Sequence, residues 1–93
     1  MICMQFEWDE SKRQKNLGKH GIDFILAMEI FLDTRRLETP DDRKNYGEIR
    51  YQCIGQAQEF LLLVVYTYRE QTIRIISARR ANHEEKKTYL HIA

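Results

Sequence analysis

The sequence predicts an α+β fold: an antiparallel sheet of about four to five strands, with two helices ahead of it and one behind. Three observations carry this. Phe60–Tyr68, FLLLVVYTY, is a near-continuous apolar run of strand length, the pattern of a central strand buried on both faces. Short links join it to Ile49–Gly55 (IRYQCIG), which alternates, and to Thr72–Ala78 (TIRIISA), which is rich in β-branched residues. Helix punctuation flanks these strands: Asp9, Gly21 and Asp23 before them, Asn82 and Glu85 after.

In chain order, Met4–Trp8 (MQFEW) alternates and reads as a short strand. Asp9 caps a polar helix over Glu10–Lys19. Leu17 is one of its few apolar residues, so this helix is expected to dock by its ends and a narrow stripe. Gly21, after Lys19-His20, suits the left-handed position that ends a helix. Asp23 caps a second helix, Phe24–Leu32 (FILAMEIFL), apolar nearly all the way round and expected to be largely buried. Asp33–Glu48 holds the sole proline, Pro40, and reads as a loop with room for a strand around Leu37–Thr39. Gln56–Glu59 and Arg69–Gln71 are turns, neither containing glycine, and the three strands they join form an antiparallel meander. Asn82 and Glu85 have the spacing of a capping box that opens a helix over His83–Leu90. Alternation puts Ile73, Ile75 and Ser77 on one face of the last strand, and Thr72, Arg74, Ile76 and Ala78 on the other. Arg50, Gln52 and Ile54 share a face, as do Tyr66 and Tyr68, which permits an open sheet face carrying both arginines and tyrosines.

Ninety-three residues make one domain, 1–93, with a modest core. The chain is 43% apolar and 31% charged, ordinary for a soluble globular protein. No apolar run approaches the roughly 20 residues of a membrane span, and MICMQFEWDE lacks the pattern of a secretory signal, so a cytoplasmic location is expected. Cys3 and Cys53 have neither metal nor disulfide spacing and read as free thiols. Net charge is +1, but residues 21–48 carry four basic and seven acidic side chains, whereas residues 69–93 carry six basic and three acidic. A chain basic at one end can hold a polyanion locally. Asp41-Asp42 alone is a weak metal signal, and neither a metal nor a cofactor is expected.

The segments FEWD, NLGKHGIDF, YGEIRYQCIG, LLLVVYTYRE and IRIISARRANHEEK, in that order, resemble the BrnT family of toxins from bacterial type II toxin–antitoxin systems. The resemblance runs from about Phe6 to Tyr89, and the combination of KHG before an apolar helix with RIISARRA is its specific part. It implies a RelE-like ribonuclease fold that cleaves RNA without a metal and halts translation. It also implies a BrnA-type antitoxin with a ribbon-helix-helix DNA-binding end, through which the complex would bind operator DNA.

Metal-free RNA cleavage uses the 2′-hydroxyl as nucleophile, so the protein must move two protons and hold extra charge on the phosphorane. Arginine, planar and permanently charged, suits the last role, which makes Arg74, Arg79 and Arg80 candidates, with Arg50 as a further RNA contact. His20, Lys19 and Tyr51 are candidates for proton transfer, and Tyr66 and Tyr68 for stacking on bases. Each has a structural alternative. His20 can serve the helix C-terminus as a favourable cation, Arg74 can pair with a cross-strand carboxylate, and Tyr66 and Tyr68 can belong to the core or its rim. Two other classes use the same basic surface: a nucleic-acid-binding module without catalysis, and an interaction domain whose basic end receives an acidic partner.

Overall fold

A computed structural model describes residues 4–43 and 45–92; Cys3 lies outside the described residues. Five strands form one sheet in the order β1-β5-β4-β3-β2: β1 (Gln5–Trp8), β2 (Leu37–Asp41), β3 (Arg50–Ala57), β4 (Phe60–Arg69) and β5 (Thr72–Arg80). The meander β3-β4-β5 is antiparallel, as expected. β2 adds antiparallel to β3, and β1 adds parallel to β5, with Trp8 opposite Ile75. β4 lies in the middle, and Leu62–Thr67 are all buried. Pro40 is tolerated because β2 is an edge strand and has no neighbour to receive the missing N–H. Both hairpin turns are two residues long without glycine, and Gln58 and Glu70 take the left-handed conformation instead (φ 56° and 57°).

Helix α1 (Glu10–His20) starts at Asp9, whose carboxylate accepts the Ser11 and Lys12 N–H groups, and ends at Gly21 with φ 71°. The second predicted helix is shorter than expected. Phe24–Ala27 forms a single α turn, α2, capped by Asp23, and Met28–Leu32 tightens into a 3₁₀ segment. Nor is it buried all round: Phe24, Ala27, Ile30 and Phe31 are buried, while Ile25 and Leu32 are exposed. The buried residues recur three apart, and three residues per turn aligns them toward the sheet better than 3.6 does. The segment also sits very close to β3. A Cβ on Gly55 would lie 2.7 Å from the Ile30 Cβ, so this approach requires glycine. The C-terminal helix α3 (His83–Ile92) has the capping box the spacing predicts: Glu85 N–H to Asn82 at 2.9 Å, and Asn82 N–H to Glu85 at 2.8 Å.

α1, α2 and the 3₁₀ segment cover one sheet face, where Cys53, Leu62, Val64, Tyr66, Ile73, Ile75 and Ala78 meet Ile22, Phe24, Ile30 and Phe31. The face assignment along β5 changes midway. Ile75 pairs with Tyr66 and Ser77 with Val65, so Ile76 is an extra, bulged residue. Parity flips there, and Ala78 joins Ile73 and Ile75 in the core in place of Ser77. The pattern of residue types could not reveal this, because Ser77 and Ala78 are both small.

α1 docks differently from the expected apolar stripe. Leu17 is 38% exposed, and the buried residue of the helix is Asn16. The Asn16 amide donates to the Ala78 carbonyl (2.7 Å) and the Ile22 carbonyl (2.9 Å), and its oxygen accepts the Ala78 N–H (3.1 Å). β1 has already ended opposite Ile75, so this side chain continues the sheet's hydrogen bonding along the edge of β5. Arg13 reinforces the dock by a two-pronged ion pair with Asp23 at 2.8 and 2.9 Å. Replacing Asn16 with Leu strands three buried backbone groups, at about 1–3 kcal/mol each when taken singly and less than additively together. The expected loss is about 3 kcal/mol by urea denaturation, and an unchanged midpoint would contradict this account.

Candidate RNA interface

Strand parity sorts the candidate residues onto two surfaces. On the face away from α1 and α2, β3 contributes Arg50 and Gln52, β4 Val65, Thr67 and Arg69, and β5 Arg74, Ser77 and Arg79. α3 closes one end of this face, where Glu85 and Thr88 stand across a groove from Ile54 and Leu63. Tyr51, Tyr66, Tyr68 and Arg80 project to the opposite, helix-covered side. The open face therefore carries arginines without the predicted tyrosines, and the adjacent Arg79 and Arg80 point in opposite directions.

Each arginine of the open face has a carboxylate partner. Arg74 donates to Glu7 at 2.7 Å, the cross-strand pairing considered as its alternative role, because β1 lies parallel beside β5 with Glu7 in register. Arg50 pairs with Glu48 at 3.1 Å and stacks 4.0 Å over the Tyr46 ring, and Arg69 approaches the same Glu48 at 3.9 Å. Arg79 grips Glu85 with both terminal nitrogens at 2.8 Å. The guanidinium of Arg79, then desolvation and the Asn82 N–H, act on Glu85, and its carboxyl lies below the usual range. Arg43, paired with the shielded Asp41 at 2.7 Å, stands close enough to act on Arg79 and Glu85 as a further cation.

On the other side Arg80 has no ion pair among the described residues; its guanidinium lies 5.0 Å over the Phe60 ring. No hydrogen bond or ion pair among the described residues links Lys19 or His20 to an arginine. Both occupy the last turn of α1, where a cation meets the helix dipole favourably. They follow Asn16 by one turn, and Arg80 follows Ala78 by two positions. The tyrosines form a group at the rim. Tyr51 stacks on Tyr66 at 6.0 Å, Tyr68 meets both edge-on, and the Tyr66 and Tyr68 hydroxyls both donate to Glu38 on β2. Tyr66 is fully buried against Phe31 and has no ring face for a base, whereas Tyr68 is 47% exposed. Burial and the Glu38 carboxylate push the Tyr68 hydroxyl up to about 12 and the Tyr66 hydroxyl further. Both stay protonated near neutrality and are better suited to stacking and hydrogen bonding than to exchanging protons. Cys53 is buried, its thiol pushed up to about 12 by desolvation.

Two residues of these surfaces carried little signal in the sequence. Glu85 reads there only as half of a capping box, and its pairing with Arg79 depends on how α3 folds back over the sheet. Glu38 reads as a loop acid because β2 lacks alternation and contains proline. Among the described residues no group of three His, Cys, Asp or Glu is placed to hold a metal ion, and no helix is long and apolar enough to cross a membrane.

The open sheet face thus carries four arginines, each beside a carboxylate, with a groove under α3 at one end. The family model of the ribonuclease toxin BrnT, of type II toxin–antitoxin systems, matches residues 8–85, and the chain belongs to that family. It is a ribonuclease toxin, and type II membership implies an antitoxin partner. No curated protein matches the chain at a significant level.

The ion pair between α3 and the sheet has a pH signature. Glu85 has a folded pKa below its unfolded value of about 4.5, so its pairing contributes fully above that pH and fades as pH falls through the folded value. The melting-temperature gap between the wild type and Glu85→Gln should be widest near pH 6 and close toward pH 3. A gap that stays constant would mean that Arg79 does not stabilise the charged carboxylate.

Proposed function

We propose that this toxin is a metal-independent endoribonuclease, RelE-like in action, and that RNA lies across the arginine face of the sheet. The observation that carries the reading is the convergence of Arg50, Arg74 and Arg79 on one face around a floor of Gln52, Val65 and Ser77. RNA carries its own nucleophile. The 2′-oxygen gives its proton to a base and attacks the adjacent phosphorus, the bond to the 5′-oxygen breaks, and that oxygen takes up a proton. A 2′,3′-cyclic phosphate and a 5′-hydroxyl result. Both terminal nitrogens of Arg79 are engaged by Glu85, so a phosphate that takes Arg79 displaces this carboxylate and frees it to accept a proton. Arg50 and Arg74 keep free guanidinium nitrogens for the flanking phosphates, since one nitrogen of each is engaged by a carboxylate.

A second reading places the chemistry at the Lys19, His20 and Arg80 corner, away from Tyr51 and Tyr68, which lie toward the other end of β4. The observation favouring it is that Arg80 has no carboxylate partner among the described residues, while the arginines of the open face have one. The antitoxin in either case is BrnA-type, its ribbon-helix-helix end carrying the complex to operator DNA, and the location is cytoplasmic.

Incubation of antitoxin-free protein with RNA and EDTA should give 5′-hydroxyl and 2′,3′-cyclic or 3′-phosphate ends. A need for magnesium, or 5′-phosphate ends, would overturn the mechanism. Arg79→Ala should slow cleavage about a hundredfold, by analogy with losing one transition-state donor. The same change should lower the melting temperature, because Glu85 loses its partner; Arg79→Lys should restore part of both. If Arg80→Ala or His20→Ala abolishes cleavage while Arg79→Lys is silent, the corner is the site.

Expressed alone in bacteria, the chain should arrest growth, and co-expression of the adjacent gene should restore it. Normal growth at a verified level of wild-type protein would count against toxicity.

A further inference from the structure

We infer that the groove between β2 and α3 receives the nucleobase beside the scissile phosphate, and that Gln52 reads its edge. The inference rests on the arginine face being the RNA surface. The groove has a volume of about 600 Å³, within the roughly 300–1,000 Å³ of small-molecule sites. Leu37, Ile54 and Leu63 give it an apolar floor and wall, and Glu85 and Thr88 of α3 form the facing side. Gln52 lies between Thr39 and Val65 in register and opens into the groove. Its side chain is half-buried and makes no hydrogen bond with any described residue, so its two amide N–H groups and its carbonyl oxygen are open to a ligand. Leu63 lies opposite Arg79 on β5, so a nucleotide whose phosphate rests on Arg79 can lay its base over Leu63 and Ile54 and present its edge to Gln52.

The chemistry selects among bases. An amide pairs with a ring nitrogen acceptor and adjacent amino group (adenine, cytosine) in one orientation, and with a ring N–H and keto oxygen (guanine, uracil) in the other, so a second group must set the choice. Thr88 on the facing side donates its hydroxyl proton to the Glu84 carbonyl and so offers the groove an acceptor, which adds a preference for an amino group over a keto oxygen. Gln52 is thus a specificity-determining residue, distinct from the groups that hold phosphate.

The probes are fluorescein-labelled, 2′-deoxy uridine tracts, uncleavable, each with adenine, cytosine, guanine or uracil at one internal position. Anisotropy titrations of the wild type should favour adenine and cytosine over guanine and uracil about tenfold. Gln52→Ala should flatten this to within about threefold while keeping its melting temperature. Gln52→Glu should move preference to guanine, whose ring N–H and amino group both donate. A preference that survives Gln52→Ala, or no preference in the wild type, overturns the groove assignment. The RNA face is tested separately on the same probes. If Arg50→Ala and Arg74→Ala bind as tightly as the wild type, that reading fails whatever Gln52 does.

Discussion

The three hydrogen bonds of the Asn16 carboxamide fix where the first third of the chain sits. α1 is polar on nearly all sides, and a helix with no apolar stripe has little hydrophobic reason to lie on a sheet. Asn16 supplies a directional one. It satisfies both backbone groups of Ala78 at the point where β1 has run out, and the Ile22 carbonyl where the chain turns back. Unlike apolar packing, such a contact tolerates no sliding. A shift of the helix along β5 would leave buried donors and acceptors unmet, at a cost comparable to a sizeable share of a small domain's stability. The direction in which Phe24, Ile30 and Phe31 enter the core follows from that register, as does the position of Lys19 and His20.

The β5 bulge is the second constraint with wide consequences. Without Ile76 as an extra residue, Arg79 would point into the helix-covered side with Ile75, and Arg80 would face outward. With it, Arg79 joins Arg74 on the open face and meets the α3 carboxylate. One inserted residue thus decides which arginine of an adjacent pair belongs to the open sheet face. Bulges recur beside functional sites because they re-aim side chains in this way.

What the sequence disclosed and what it withheld divide along a physical line. Local rules were legible: the caps at Asp9, Asp23 and Asn82, the left-handed Gly21, the apolar run of β4 and the short hairpin links all depend on neighbours within a few positions. Features set by partners far along the chain were not. The burial of Asn16 depends on Ala78, 62 positions away; the close approach at Gly55 depends on Ile30; and the strand expected around Leu37–Thr39 runs on through Pro40 to Asp41 because it pairs with β3. The site followed the same rule. Alternation placed Ser77 and Ala78 on the wrong faces past Ile76 and left Arg79 and Arg80 unassigned. Tyr66 and Tyr68 were given a shared face along β4, and of the two surfaces left open for them they occupy the core and its rim, because residue type alone does not say which face the helices cover.

The carboxylates beside the arginines explain how a near-neutral chain can gather several arginines on one sheet face. Left unpaired, Arg50, Arg74 and Arg79 would repel one another across the sheet; Glu48, Glu7 and Glu85 offset this at little net energy where the pairs are exposed to water. A phosphate arriving at such a pair gains less than it would at a bare cation. Affinity then comes from several modest contacts in parallel, each sensitive to salt. On the proposed function, RNA is held weakly along such a surface, and selectivity falls to the uncharged groups Gln52, Ile54 and Leu63 between the arginines and α3.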